Sequence, residues 1–109
     1  MRHRQKRNKE ETDLEIFEPP REEIMEFAVA MEKQMRYNEA RGKSYAWVAF
    51  NPRVLYERMI GEVGELTDEL AKEPNFNEPQ FQHECMDVST FGLFLWYQSK
   101  TRERNNGRE

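Results

Sequence analysis

The chain has 109 residues, of which 35% are charged and 37% hydrophobic, with 17 Lys and Arg against 21 Asp and Glu. That length predicts one small domain, and a body this short is expected to bury only about 60–70% of the surface its unfolded chain exposes. Self-association is therefore expected. Cys85 is the only cysteine, which excludes an intrachain disulfide and fits a reducing, cytoplasmic compartment.

The net charge of −4 is unevenly spread. Arg2, Arg4, Lys6, Arg7 and Lys9 sit in the first nine residues without an acid among them. Taking these five cations from 17 leaves 12 basic against 21 acidic residues, or −9 for the rest. Residues 1–18 read as a solvated, disordered arm; contact of that arm with nucleic acid is the alternative. No apolar leader segment is visible. The densest apolar run, Phe91 to Tyr97, is too short to span a bilayer, so no membrane partner is expected.

Pro19-Pro20 punctuates the chain, and a helix is predicted to start with Pro20 in its first turn. Ile24, Phe27, Ala28, Met31 and Met35 repeat at helical spacing, and Gly42 is placed as the stop. Residues 42–51 form a connection rich in aromatic groups: Tyr45, Trp47 and Phe50. Asn51-Pro52 then reads as an N-cap with proline at the first helical position. The second helix is predicted to run to about Lys72, with Leu55, Met59, Val63, Leu66 and Leu70 as its apolar stripe. Residues 73–78 form a turn. A third helix is predicted from near Pro79 to about Arg102, with a fraying polar tail beyond it. No strand is expected. The fold class is all-α, an antiparallel bundle of about three helices per chain over residues 19–104, completed by oligomerisation.

The chemistry lies in Glu62-x-x-Glu65 and Glu84-x-x-Asp87. A spacing of three puts both carboxylates of a pair on one side of a helix. Glu84 and Asp87 fall within the arc of Phe81, Val88, Phe91 and Leu95, facing inward. An antiparallel hairpin brings the two pairs to similar height, where their repulsion and desolvation need a cation. Hard oxygen donors suit Mg²⁺ or Mn²⁺. A di-iron bundle needs Glu-x-x-His on paired helices, and His83 adjoins Glu84 at the wrong bearing. A zinc site lacks its Cys and His set. Gly61 and Gly64 lie inside a helical pattern, not in a phosphate loop; they mark close helix packing or room for a ligand. Glu69 lies on the same flank, either as a supporting acid or as a surface charge.

The segment Asn51-Pro52-Arg53 … Gly61-Glu62-Val63-Gly64-Glu65-Leu66, followed by Glu84-Cys85-Met86-Asp87-Val88, resembles the all-α nucleoside triphosphate pyrophosphohydrolases of the MazG type. The upstream Asn38 … Gly42-Lys43 … Trp47 is similar to the stretch preceding that motif in small MazG-like proteins. The resemblance covers roughly residues 24–98. It implies a helical fold, Mg²⁺ dependence and cleavage between the α- and β-phosphates of a (deoxy)nucleoside triphosphate, leaving a monophosphate and pyrophosphate. Carried over, Glu62, Glu65, Glu84 and Asp87 are metal ligands, one of them alternatively orienting or deprotonating the attacking water.

Lys43 and Arg53, with Lys100 behind them, are candidates for gripping phosphate. Trp47 is the candidate platform for the base, or else a plug for the bundle end. Phe91 is assigned to the core, and Trp96 and Tyr97 to an oligomer contact. A homodimer or homotetramer is expected. Where the family often places an Asn after the acidic pair, this chain has Ser89-Thr90 and Tyr97-Gln98. That departure leaves a second reading, a non-catalytic nucleotide-binding or regulatory helical module with a nucleic-acid-binding basic tail.

Overall fold

The computed structural model describes residues 18–42 and 46–107. The basic arm and the sequence candidates Lys43 and Tyr45 lie outside the described residues. Three helices and one short 3₁₀ turn make up the described chain, and no strand is found among these residues. The all-α expectation holds.

Helix α1 spans Glu22–Ala40. Its first turn carries Glu22 and Glu23 against the positive end of the helix dipole. The expected start is corrected by two residues: Pro20 precedes the helix, and extended Arg21 is its N-cap. Gly42 ends it as expected, at φ +87, with its N–H donating to the Glu39 carbonyl at 3.0 Å. Only a glycine adopts that conformation without steric cost.

A 3₁₀ turn at Ala46–Ala49 leads into α2, Pro52–Leu70. The Asn51 side chain accepts the Arg53 N–H at 2.7 Å, and proline occupies the first turn. This satisfies one donor that the helix leaves orphaned and fixes where it begins. The α2 end is firm for a different reason. Glu69 is buried, accepting from Lys72 Nζ at 3.0 Å and from the Asn77 N–H at 2.9 Å. One carboxylate thus ties the end of α2 to the connection that follows, so Glu69 is neither a surface charge nor part of the acidic centre. Asn77 in turn accepts the Gln80 N–H at 2.9 Å and starts α3.

Helix α3 runs Glu78–Gly107, 30 residues, or about 45 Å. The expected fraying after Arg102 is corrected. No Gly or Pro interrupts residues 102–106, Lys100 pairs with Glu103 at 3.2 Å, and the Arg104 guanidinium lies 5.6 Å from the Tyr97 ring centre.

Helices α2 and α3 form the main packed pair, an antiparallel hairpin; α1 and the 3₁₀ turn touch α3 more lightly. Leu55, Met86 and Phe94 are the buried apolar side chains, and Glu69, Glu84, Thr90 and Gln98 are buried beside them. Buried polar groups thus outnumber buried apolar ones among the described residues, which is costly unless each has a purpose. The buried side of α3 is centred on Met86, Thr90 and Phe94; Phe81, Val88, Phe91 and Leu95 are only half-buried. The expected arc is off by about one residue.

The apolar stripes are only partly covered. No residue of α1 is buried, and Ile24 and Phe27 are exposed, as are Val63 and Leu70 of α2. Close packing at Gly61 and Gly64 is also not found: a methyl group added at either would meet nothing within 4 Å.

Candidate functional site

Three of the four acidic candidates converge. Glu62 of α2 and Glu84 and Asp87 of α3 each offer a carboxylate oxygen, and these atoms lie within 4.8 Å of one another. The hairpin brings them together: α2 and α3 pack antiparallel, and the Glu69 tie sets the register of the connection. Glu84 is buried, while Glu62 and Asp87 are half-buried. Glu65 is exposed and stands outside this cluster. A spacing of three turns it about 60° from Glu62, enough to carry it off the packed face.

Neutral amides flank the carboxylates. Gln34 of α1 donates to Asp87 Oδ1, and Gln80, one turn before Glu84, donates to Glu84 Oε2. His83 reaches Asp87 as well, with Nε2 3.3 Å from Oδ2. Two oxygens are left over: Glu62 Oε1 and Glu84 Oε1 are buried without a hydrogen-bond partner among the described residues. Burial raises the Glu62 carboxyl from its ordinary 4.5 to about 7, with the charges of Asp87, Glu65 and Glu84 adding to the effect. A carboxylate in this position is short of positive charge.

These donors fit a hard divalent cation. All are carboxylate oxygens, which suit Mg²⁺ and Mn²⁺ and not soft metals. Two of the oxygens are withdrawn from water with nothing else to bind. Among the described residues, the cations nearest in sequence are engaged elsewhere: Lys72 is on Glu69, and the Arg58 guanidinium lies 5.2 Å from the Phe50 ring centre.

Beside the acids opens a cavity of about 440 Å³, with Glu62 and Asp87 in its wall. Its apolar side is aromatic, built from Trp47, Phe50, Phe91 and Phe94. The Trp47 indole stacks on Phe94 at 4.4 Å and 11° and meets the edge of Tyr97 at 5.9 Å. Trp47 is therefore both a plug for the end of the hairpin and a wall of the cavity. Phe91 likewise packs edge-on against Phe94 and lines the space. Polar lining comes from Gln34 and Asn38 of α1, Arg58 of α2 and Thr90 of α3.

Arg53 and Lys100 are not among the lining residues. Arg53 is exposed at the start of α2, and Lys100 is engaged by Glu103. Arg58 stands in the cavity instead, and sequence reasoning missed it. The signal was present, because Arg58 is one turn before Glu62 and shares its face. Gln34 was also missed, although it sits between Met31 and Met35 on the inward side of α1. Trp96 is exposed; Tyr97 contacts Trp47 within the chain.

The fold and site define a class: an all-α hairpin protein with an oxygen-only acidic centre opening onto an aromatic cavity. No protein-family model, no curated protein and no solved structure matches the chain. The geometry therefore carries the functional reading.

Proposed function

We propose that this chain is a Mg²⁺-dependent nucleoside triphosphate pyrophosphohydrolase, releasing pyrophosphate and a nucleoside monophosphate. The observation that carries the reading is the convergence of one carboxylate oxygen each from Glu62, Glu84 and Asp87 within 4.8 Å of one another, with a buried, partnerless oxygen on both Glu62 and Glu84, beside a cavity that Glu62, Asp87 and the Trp47 indole line. Glu62, Glu84 and Asp87 would hold the cation. When bound, Mg²⁺ neutralises phosphate oxygens, acidifies water and fixes in-line geometry.

The protein's own groups supply the rest. Gln34 and Gln80 orient Asp87 and Glu84 by donating to one oxygen of each; Glu84 Oε1 is left for the centre, while His83 meets the second Asp87 oxygen. Glu62, raised toward neutrality, is suited to accept a proton at Oε1 near pH 7 when no cation holds it in its charged form. The aromatic wall offers a face to a base and excludes water from the acids. Arg58 offers a bidentate donor for a phosphate in the same cavity.

Second copies of the chain fit the uncovered surface. Ile24, Met25, Phe27 and Val29 on α1 and Val54, Ile60 and Val63 on α2 are exposed, and a homodimer or homotetramer would bury them. Light scattering on the purified chain should read more than 13.2 kDa.

The non-catalytic reading has one observation in its favour: Glu65 stands outside the cluster, so three carboxylates converge instead of four. Pyrophosphate release separates the two. Pure protein with Mg²⁺ and each of a panel of (deoxy)nucleoside triphosphates should liberate pyrophosphate from at least one. Metal-dependent nucleotide binding without product would favour the binding module, and indifference to both metal and nucleotide would defeat both readings.

A further inference from the structure

Gln98 is a buried amide near the far end of the aromatic wall. Its Nε2 donates to the Trp47 carbonyl at 2.7 Å and to the Phe50 carbonyl at 2.8 Å. Both acceptors belong to the short segment that carries the two aromatic side chains contributed to the cavity from outside α3. The Phe50 N–H also closes onto the Trp47 carbonyl at 3.1 Å, so one amide holds both ends of a single turn. Only a donor group can meet two carbonyls, which fixes the amide's orientation without ambiguity.

This contact is non-local. The 3₁₀ turn precedes α2, whereas Gln98 lies on α3 about three turns beyond Asp87. A connection with few packed contacts of its own is the kind of element that opens locally. Here the amide, together with Trp47 stacking on Phe94, decides where the indole stands.

We propose that Gln98 is a positioning residue: it latches the 46–50 turn to α3 so that Trp47 and Phe50 hold the base-binding wall in place. The inference rests on the nucleotide-hydrolase reading for its substrate, but not for the latch. Gln98 stands about three helical turns from Asp87, at the other end of the wall. It acts through Trp47, so its loss affects binding of the base and not the chemical step.

The test uses Gln98→Met, similar in length but unable to donate, in the full-length chain. KM for the best nucleotide should rise about tenfold, one factor of ten being about 1.4 kcal/mol of binding, while kcat and the Mg²⁺ dependence stay within twofold. The same substitution in a Trp47→Ala background should add little to KM, because the two act on one contact. Unaltered KM, or equal loss in kcat and in the Mg²⁺ response, would overturn the latch. A Trp96→Phe background leaves Trp47 as the only indole, and its emission and the exchange of the 46–50 amides read the latch without nucleotide. Red-shifted emission and faster exchange in Gln98→Met support it; identical spectra and exchange overturn it. If the parent chain turns over no nucleotide, the hydrolase reading falls while these two signals still decide the latch. Should Gln98→Met fail to fold, Gln98→Asn, which keeps the amide but shortens its reach, is read by the same emission and exchange.

Discussion

The two halves of α3 serve the same cavity with different chemistry. The C-terminal half, with Phe91, Phe94 and Gln98, is packed and paired: ring against ring, amide against two carbonyls. The N-terminal half brings Glu84 and Asp87 to Glu62, with two buried oxygens unpaired and one carboxyl raised to about 7. Toward the cavity the C-terminal half is neutral and aromatic, while the N-terminal half gathers acids. Uncompensated charge of this kind is expensive in a small protein with little stability to spend. On the proposed reading, the contrast teaches that the wall is built before ligand arrives, while the acidic end is completed by what binds.

The sharpest break in this contrast is on the acidic side. On the hydrolase reading, Glu62→Gln should lower kcat by on the order of 100-fold or more, with helix content by circular dichroism unaltered. Glu65→Gln should cost much less, because that side chain is exposed and outside the cluster. Equal losses in the two variants would mean that Glu65 swings into the centre during turnover.

Next in size is the cation itself. If the three carboxylates hold Mg²⁺, a hundredfold excess over its Kd should stabilise the fold by about 2.7 kcal/mol, a rise in Tm on the order of 10 °C for a domain of this size. No shift at millimolar Mg²⁺ would speak against a formed centre. The pH dependence follows from the sign of the Glu62 shift. Its folded-state carboxyl is raised from 4.5 to about 7, so the folded state binds the proton more tightly than the unfolded chain. That contribution is fully present below about pH 4.5 and is lost as pH rises through 7. Without metal, Tm should therefore fall across this window; saturating Mg²⁺ should flatten the fall. Melting curves at several pH values, with and without Mg²⁺, measure both effects, and Glu62→Gln should abolish the metal-free slope.

The smallest effect concerns Glu69, which is paired where Glu62 is not. Its carboxyl lies below the ordinary value, held by the Lys72 and Asn77 hydrogen bonds. This contribution has the opposite sign: present above the ordinary carboxylate pKa and lost as pH falls through the lowered one. Glu69→Gln should lower Tm modestly at pH 7 and leave the response to Mg²⁺ intact.

Much of the fold was legible in the residues. Asn51-Pro52 marks the start of α2, Gly42 the end of α1, and helical spacing gives the hairpin. The end of α3 was not legible, because polarity predicts exposure and not fraying; with no breaker and good local pairs, a polar helix continues. At the site, spacing put Glu62, Glu84 and Asp87 among the candidates, but it offered Glu65 equally. Glu65 was misread, because adjacency on a helix still leaves 60° between two side chains, and only the packed partner shows which of the two faces inward. Glu69 illustrates the same limit. Its partners, Lys72 and Asn77, belong to a turn whose path the sequence does not disclose. Arg58, Gln34 and Gln98 were open to the same wheel, but long polar side chains on a partly apolar face are ordinarily read as solvated.

Glu84, Asp87, Phe91, Phe94 and Gln98 all ride on one unbroken screw. Their relative bearings are set by helical pitch, with no loop to absorb an error. A single residue inserted between Asp87 and Phe91 would rotate everything downstream by about 100°, uncoupling the wall from the acids, whereas a residue added after Gly107 would leave the alignment untouched.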